Sequence, residues 1–440
     1  MKMNRRFYLV FILLLCPILS VTLTMCSGGG GGGGGEVGPA ATLVSIAVTP
    51  VNPSVVKWHT QQLTATGTYS DGTTPDITAQ VTWTSTDPAV ASVSSGGLTT
   101  GVAPGSTTIS ALSGTISGNT SLTVPTPSSS TFTVGTNPVG IAIDSSGNAW
   151  VANSGDNTIS VLTPTGFLLN TIPTNTFPRS IKIDASGKAW VTNQNSDNIT
   201  VFSSAGALLN TYPTGSGPRY LSIDSSGNVW VTNYGRGGNI GDTATKFSAS
   251  GTVLGTFPTT THPWGIVHDS SGNAWITNYG SAVLRNKVTK LSPSGAALGT
   301  FIVGDGPRGI HVDPSGNVWV SNAGDDTTPG STMTKLSPSG AVLGTYTVKT
   351  NGSPRAFSIN TSGYIWVLNY GTSASPGTTV SVVSPNGTWL GDYAVGSNPS
   401  GIAIDTSGNV WISNNADDTV TVWKGASTPG YHAYSGPIWP

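Results

Sequence analysis

A sixteen-residue unit recurs seven times along the chain, and it limits the possible folds more than any other feature. Each copy opens with Pro, reaches a turn of the type Asp-Ser-Ser-Gly-Asn, and ends with a Trp-containing run and Asn. The copies occupy 138–153, 178–193, 218–233, 263–278, 307–322, 354–369 and 399–414, and their tryptophans lie 40 to 47 residues apart. A repeat of this length, built from short strands and glycine turns, predicts a β-propeller.

Each period has room for four strands, which would make one propeller blade. The unit itself reads as a hairpin, and two further β-rich runs follow it, for example 158–162 and 167–172. The seventh period lacks a fourth strand, and the segment 131–134 resembles the missing one. A strand from the N-terminal side would close the ring and remove exposed sheet edges. We therefore predict an all-β fold with a seven-bladed propeller over 131–424, in which the tryptophans fill the space between blades.

The composition agrees with an all-β protein. Only 8% of the 440 residues are charged, 58 are glycine, and Glu36 is the single glutamate. Soluble helices commonly use Glu and Lys, so few helices are expected. A formal net charge of −1 gives no argument for a nucleic-acid partner.

The N-terminus has the features of a targeting segment. Residues 1–26 comprise a basic start, an apolar run over 7–21 and Cys26, and a glycine-rich tether (27–41) follows. This order resembles a bacterial lipoprotein signal. The resemblance implies that Cys26 is lipidated and that the lipid anchors the protein in the cell envelope, at the outer membrane or cell surface. Plain cleavage and a retained anchor are the alternatives, because Met25 stands where that family prefers a small residue.

Residues 42–125 form a separate module of short alternating runs, which predicts a β-sandwich. The sequence of this module resembles the bacterial Ig-like domain of group 2, a family without catalytic residues. That family occurs in surface proteins as a spacer or adhesive module. Trp83 is expected in its core. His59 is expected to be an ordinary surface or strand residue. The linker to the propeller is placed at 126–130.

The propeller repeats resemble the NHL-repeat and streptogramin B lyase-like group. In the lyase, catalysis rests on a His directly after a unit's opening Pro and on a Glu that closes a unit, with a magnesium ion nearby. Here the residues after Pro are Val139, Arg179, Arg219, Trp264, Arg308, Arg355 and Ser400, and every unit closes with Asn. Neither catalytic residue is present, so lyase activity is not expected. A propeller enzyme of the lyase-like or lactonase-like class with a different active site remains the alternative.

Other chemistry is sparse, and we predict no catalytic residue, cofactor or metal site. The histidines after the Ig-like module (His262, His268, His311 and His432) lack the close spacing of metal ligands. His268 stands where other units have Ile or Val, which favours a buried histidine with its polar atoms satisfied; a site residue is the alternative. The turns offer one Asp each, fewer carboxylates than a calcium site needs. No role is assigned to the tail (425–440), which reads as a loose extension or partner strap.

The residues after the opening prolines form the one set that suggests binding. Four are Arg, with Trp264 between them, and the loops that begin at Asn233, Asn278 and Asn322 would lie on the same face of a propeller. The planar guanidinium group of Arg can bind a carboxylate or phosphate through two hydrogen bonds, and aromatic rings can stack on sugars or contact peptide side chains. We therefore predict ligand binding by Arg179, Arg219, Trp264, Arg308, Arg355, Asn233, Asn278 and Asn322. The ligand would be a glycan, an anion or a protein. The alternatives are that each Arg bonds loop carbonyls or the repeat Asp, and that the protein is a structural spacer.

Overall fold

The computed structural model describes residues 40–280, 285–350 and 352–427. The predicted lipoprotein signal with Cys26, most of the tether and most of the C-terminal tail lie outside these ranges. The described residues form strands and turns without an α-helix. In these ranges we find no helical segment with the length and apolar character needed to traverse a bilayer.

The first eight strands form an Ig-like domain from short alternating segments. They are β1 (Leu43–Thr49), β2 (Thr60–Gln62), β3 (Thr64–Tyr69), β4 (Thr82–Ser85), β5 (Ala91–Val93), β6 (Leu98–Gly101), β7 (Gly105–Ser113) and β8 (Ile116–Val124). Three small sheets result, with the orders β1-β3, β2-β6-β5 and β4-β7-β8. Leu63, Ile109 and Leu122 are fully buried between them. Trp83 is 8% exposed in the same cluster, which confirms its predicted place in the core.

The remaining strands form seven four-stranded antiparallel sheets, numbered here in chain order. The first contains β10 (Pro138–Ile143), β11 (Ala149–Asn153), β12 (Thr158–Leu162) and β13 (Leu168–Pro173); the second β14 (Pro178–Ile183), β15 (Ala189–Asn193), β16 (Asn198–Phe202) and β17 (Leu208–Pro213); the third β18 (Pro218–Ile223), β19 (Val229–Asn233), β20 (Thr243–Phe247) and β21 (Val253–Pro258); the fourth β22 (Pro263–His268), β23 (Ala274–Asn278), β24 (Lys287–Leu291) and β25 (Ala297–Ile302). The fifth contains β26 (Pro307–Val312), β27 (Val318–Gly324), β28 (Pro329–Leu336) and β29 (Val342–Thr347); the sixth β30 (Pro354–Ile359), β31 (Ile365–Gly371), β32 (Pro376–Val383) and β33 (Trp389–Ala394).

The seventh sheet combines the two ends of the repeat region. It has the order β34 (Pro399–Ile404), β35 (Val410–Asn414), β36 (Thr419–Lys424) and β9 (Ser128–Thr133). The strand β9 thus begins before the predicted segment 131–134 and takes in part of the predicted linker. The first strand of each sheet contacts the first strand of the next, and β34 contacts β10. There the Ser413 hydroxyl donates to the carbonyl oxygen of Val139 at 2.7 Å.

The repeat tryptophans lie between the sheets, each at most 1% exposed, as predicted. In six sheets the indole Nε1 donates to the Asp of the turn, for example from Trp190 to Asp184 at 2.9 Å. The other oxygen of Asp184 accepts the backbone N–H groups of Ser186 and Lys188. Gly187 provides the positive φ of 81° that this turn requires. The Asp therefore fixes both the turn and the Trp, which accounts for their joint recurrence.

Two predictions about the periphery need correction. His59 is 2% exposed and lies against the sixth sheet, because the segment between β1 and β2 inserts there. An ordinary surface or strand residue was expected, but His59 precedes β2 and is buried, and the sequence does not reveal this contact. The C-terminal tail is not loose at its start, where Ala426 and Ser427 are 1% and 3% exposed.

Candidate functional site

The residue after each opening Pro is the second residue of the innermost strand of its sheet, and in five sheets a side chain of a neighbouring sheet holds the backbone at this point. A hydroxyl donates to its carbonyl oxygen: Thr192 to Arg219 at 3.0 Å, Thr232 to Trp264, Thr277 to Arg308 and Ser321 to Arg355 at 2.7 Å, and Ser413 to Val139 at 2.7 Å. The hydroxyl is the penultimate residue of its unit. Sequence reasoning missed this role, although five of the seven units carry Ser or Thr there.

Six of the seven residues that follow the opening prolines line a small cavity, called here the arginine cavity. It has a volume of about 60 Å³ and is lined by Val139, Arg179, Arg219, Tyr220, Trp264, Arg355, Tyr370, Ser400 and Asn415. A water molecule needs about 10–15 Å³ of such volume. The cavity therefore has room for a group of a few heavy atoms, such as a carboxylate or a phosphate.

Aromatic rings hold the guanidinium groups in place. Arg219 Cζ lies 3.3 Å from the ring centroid of Trp264, and Arg355 Cζ lies 3.3 Å from that of Tyr370. Arg308 lies behind Trp264, 4.7 Å from its ring, and is 5% exposed without lining the cavity. Cation–π contacts of this kind order a guanidinium without neutralising its charge. The rings are thus occupied by cations, which leaves less ring surface for a sugar.

The guanidinium groups of this site have little other compensation. The Nε atoms of Arg219, Arg308 and Arg355 are buried, and no described residue accepts a hydrogen bond from them. Arg179 is better satisfied, since its Nε donates to Gln194 at 2.7 Å. A buried donor without an acceptor is unfavourable by about 1–3 kcal/mol. The donors therefore favour a ligand with acceptor oxygens.

The electrostatic surroundings of the arginines also favour an anionic ligand. Burial lowers the pKa of the Arg219 guanidinium well below its ordinary value, and the charge of Arg179 lowers it further. Burial lowers the pKa of Arg355 to about 9, with a further contribution from the charge of Arg308. The groups remain cationic at neutral pH, so they repel one another. An anion among them would relieve both the desolvation and the repulsion.

Carboxylates near the cavity compensate only part of this charge. Asp326 lies 3.7 Å from Arg355 and is about half exposed. Two loop arginines are neutralised elsewhere: Arg236 pairs with Asp197, and Arg285 pairs with two aspartates. Four guanidinium groups thus face one nearby carboxylate within the described part of the chain.

The structure does not bring the three predicted asparagines to the arginine cavity. Asn233, Asn278 and Asn322 are at most 2% exposed, and none lines the cavity. Their Nδ2 atoms donate within their own sheets, for example from Asn233 to Thr245 at 3.0 Å. They fix the start of the loops instead of facing a ligand. Of the predicted binding set, Arg179, Arg219, Trp264 and Arg355 line the cavity, and Arg308 does not.

A second, larger cavity runs beneath the arginine cavity along the innermost strands, and it is called here the channel. Its volume is about 560 Å³, and it shares Val139, Tyr220 and Ser400 with the arginine cavity. His268 and His311 line it. His268 Nδ1 lies 3.1 Å from the Ser222 hydroxyl, whereas its buried Nε2 has no hydrogen-bond partner among the described residues. The expectation of a fully satisfied His268 is therefore only half met.

No group of three or more His, Cys, Asp or Glu residues with metal-binding geometry occurs among the described residues. The histidines of the channel are neutral, because burial lowers the pKa of His268 to about 4 and that of His311 to about 3. The hydrogen-bond donors and the positive charge of the site therefore come from its arginines, and the histidines of the channel add no charge.

Comparison with known proteins identifies the two parts of the chain separately. Residues 43–124 match the bacterial Ig-like domain (group 2). A stretch of 83 residues is 58% identical to Ice-binding protein 1 of Shewanella frigidimarina (strain NCIMB 400). This stretch covers 19% of the chain but only 9% of that protein. The similarity therefore concerns one module of a much longer relative.

Solved structures of streptogramin-type lyases are similar to the chain in fold. Selenomethionine-substituted virginiamycin B lyase from Staphylococcus aureus matches with a TM-score of 0.58 at 17% identity, covering 68% of this chain and 99% of that chain. A streptogramin B lyase structure matches with the same TM-score at 19% identity, covering 68% and 97%. Together with the Ig-like match, these similarities establish an all-β chain with an Ig-like domain and a propeller-like repeat region.

Proposed function

We propose that this protein is an extracytoplasmic binding protein whose arginine cavity takes an anionic group of its ligand. The observation that carries the proposal is the pair of buried Nε donors on Arg219 and Arg355, which line the arginine cavity and lack acceptors in the described residues. They are held beside a cavity of about 60 Å³ with one carboxylate, that of Asp326, nearby. A carboxylate or phosphate group would supply acceptor oxygens and negative charge together.

The contacts favour an anion over a neutral sugar or an apolar peptide side chain. The faces of Trp264 and Tyr370 that could stack on a sugar are in contact with guanidinium groups. A glycan ligand would therefore be recognised through an acidic substituent, and a protein partner through an acidic side chain or terminus. No nucleic-acid role is proposed.

The proposal includes the organisation of the whole chain. We infer a closed ring of seven blades, supported by the contact of β34 with β10 and by the pairing of β36 with β9. The Ig-like domain would be a spacer, and a lipid on Cys26 would hold the protein at the outer membrane or cell surface. The bacterial Ig-like match and the ice-binding relative are compatible with such a location.

Calorimetric titration of the purified protein with inorganic phosphate and with glucuronate tests the binding proposal. Wild type is expected to bind at least one of the two anions, and Arg219→Ala is expected to weaken binding roughly tenfold or more, as for a lost charge-assisted hydrogen bond. Arg236→Ala is the matched control, because Arg236 is exposed and paired with Asp197 away from the cavity. Failure of wild type to bind either anion, or equal losses in both variants, would contradict the proposal.

A further inference from the structure

The channel wall carries a cation that the rest of the fold does not use. Six equivalent positions, each the penultimate residue of an innermost strand, line the channel: Lys182, Ser222, Val267, His311, Ser358 and Ala403. Five of these side chains are neutral, and only Lys182 carries a permanent charge. The repeat itself therefore does not require a cation at this position.

Lys182 has no compensating partner within the described ranges. None of the observed ion pairs involves its ammonium group, in contrast to Lys246, Lys290 and Lys335, which pair with turn aspartates. Burial lowers the pKa of Lys182, and no carboxylate opposes that effect. The charge of Lys182 also lowers the pKa of His311, which lies on another sheet. The ammonium group thus faces the interior of the channel.

Asp313 also lines the channel, but its carboxylate does not offset the positive charge of Lys182. It accepts from the indole of Trp319 at 3.0 Å and pairs with Lys335 at 3.2 Å, so its charge is already compensated. The interior is therefore positive around Lys182, and Ser222 and Ser358 of other sheets also line the channel.

The position of Lys182 relative to the arginine cavity defines a spacing. Arg179 and Lys182 belong to the same strand, β14, and are three residues apart. A strand rises about 3.3 Å per residue, so their backbone positions are separated by up to about 10 Å along the channel, with a register shift between Pro178 and Ile181. The arginine cavity and the channel adjoin, because both are lined by Val139, Tyr220 and Ser400. One slender molecule could therefore contact both cations.

We infer that the propeller binds a slender dianion, with one anionic group among the guanidinium groups of the arginine cavity and a second about 10 Å deeper at Lys182. This inference rests on the proposed anion-binding function and specifies its ligand class. The second group is a carboxylate or phosphate that accepts from the ammonium group of Lys182. Binding this second group would give the unpaired ammonium group of Lys182 a role that packing does not explain.

A series of linear dicarboxylates tests the spacing by calorimetry on the whole protein. Succinate is too short to reach both sites, whereas the extended chain of azelate holds its carboxylates roughly 10 Å apart. Wild type is expected to bind azelate about ten- to a hundredfold more tightly than succinate and than the monocarboxylate nonanoate, as for an added charge-assisted contact.

Lys182→Met identifies the second contact. It should reduce azelate affinity to that of nonanoate while nonanoate binding stays unchanged. Lys188→Met is the control, since Lys188 lies in the turn between β14 and β15 and does not line the channel. Lys182 is partly buried and unpaired among the residues that the structure describes, so Lys182→Met should be about as heat-stable as wild type.

The outcomes separate the two levels of the proposal. If azelate and nonanoate bind wild type equally, and Lys182→Met changes neither, the dianion inference is wrong while anion binding at the arginine cavity stands. If no mono- or dicarboxylate binds wild type and phosphate does not bind either, both are wrong.

Discussion

The amide of Asn360 in the sixth sheet donates from Nδ2 to the imidazole Nε2 of His59 in the Ig-like domain at 3.0 Å. The direction of this bond is fixed from both sides. The Oδ1 atom of Asn360 already accepts the backbone N–H of Tyr364 at 2.9 Å, and the Nδ1 atom of His59 lies 3.0 Å from the carbonyl oxygen of Lys57. His59 must therefore be neutral, with its proton on Nδ1. The same Asn360 replaces the Asp that accepts from the indole in the other sheets, so Trp366 Nε1 has no hydrogen-bond partner in the part of the chain that the structure describes.

Acidification is expected to weaken this contact between the domains. Burial lowers the pKa of His59 from the ordinary value of 6.5, so the contact is complete above pH 6.5 and is lost as the pH falls through the lowered pKa. Protonation would place a donor on Nε2 opposite the Asn360 amide. Small-angle scattering should show a larger maximum dimension at low pH, and the same expansion at neutral pH in His59→Ala. An unchanged dimension in His59→Ala would contradict the role of this contact.

The channel histidines are expected to make the propeller sensitive to acid. The pKa of His268 is lowered to about 4 by burial, whereas its ordinary value is 6.5. Between these values the unfolded chain binds a proton that the native chain does not, so stability falls as the pH decreases from 6.5 to 4. The effect is on the order of 3 kcal/mol for His268. Asp224, Lys246 and Asp269 act on the same imidazole.

Urea unfolding at several pH values measures this dependence. His268→Ile, which places the residue common in other units at this position, should unfold with a flatter pH profile than wild type. His262→Gln is a control outside the channel. If His268→Ile and wild type lose stability in parallel between pH 6.5 and 4, His268 does not carry the effect.

The hydroxyl groups that hold the innermost strands are expected to contribute to stability. Thr277 donates to the carbonyl oxygen of Arg308 at 2.7 Å in a buried position. Thr277→Val keeps the shape but removes the donor, so about 1–3 kcal/mol should be lost as the buried carbonyl loses its partner. Thr277→Ser retains the hydroxyl and should lose clearly less. Chemical denaturation measures both, and equal losses in the two variants would show that packing, not the hydrogen bond, is responsible.

The fold could be predicted from sequence to the extent that it is encoded locally. The Asp184 turn, Gly187 and Trp190 lie within seven residues, so their mutual contacts recur as a visible pattern. The extra strand of the seventh sheet was also predicted, because its sequence resembles the other fourth strands. Its start at Ser128 was missed, since the ladder extends beyond the segment of clear resemblance.

The site was predictable only in part, because it depends on contacts between sheets. The arginines could be placed at one mouth from their position in the unit. That Arg308 lies behind Trp264, and that Asn233 turns into its own sheet, follows from three-dimensional packing. The contact of His59 with Asn360 spans 301 residues of sequence and has no local pattern. The substitution of Asn360 for the repeat Asp was the one visible sign of it.

The most direct test of anion binding is a crystal structure of the protein grown or soaked with selenate, located by its anomalous scattering. The anion is expected in the arginine cavity, with oxygens within hydrogen-bonding distance of the Nε atoms of Arg219 and Arg355, and its density should disappear in Arg219→Ala. Selenate that binds only elsewhere on the surface, with the arginine cavity holding water alone, would contradict the proposed function.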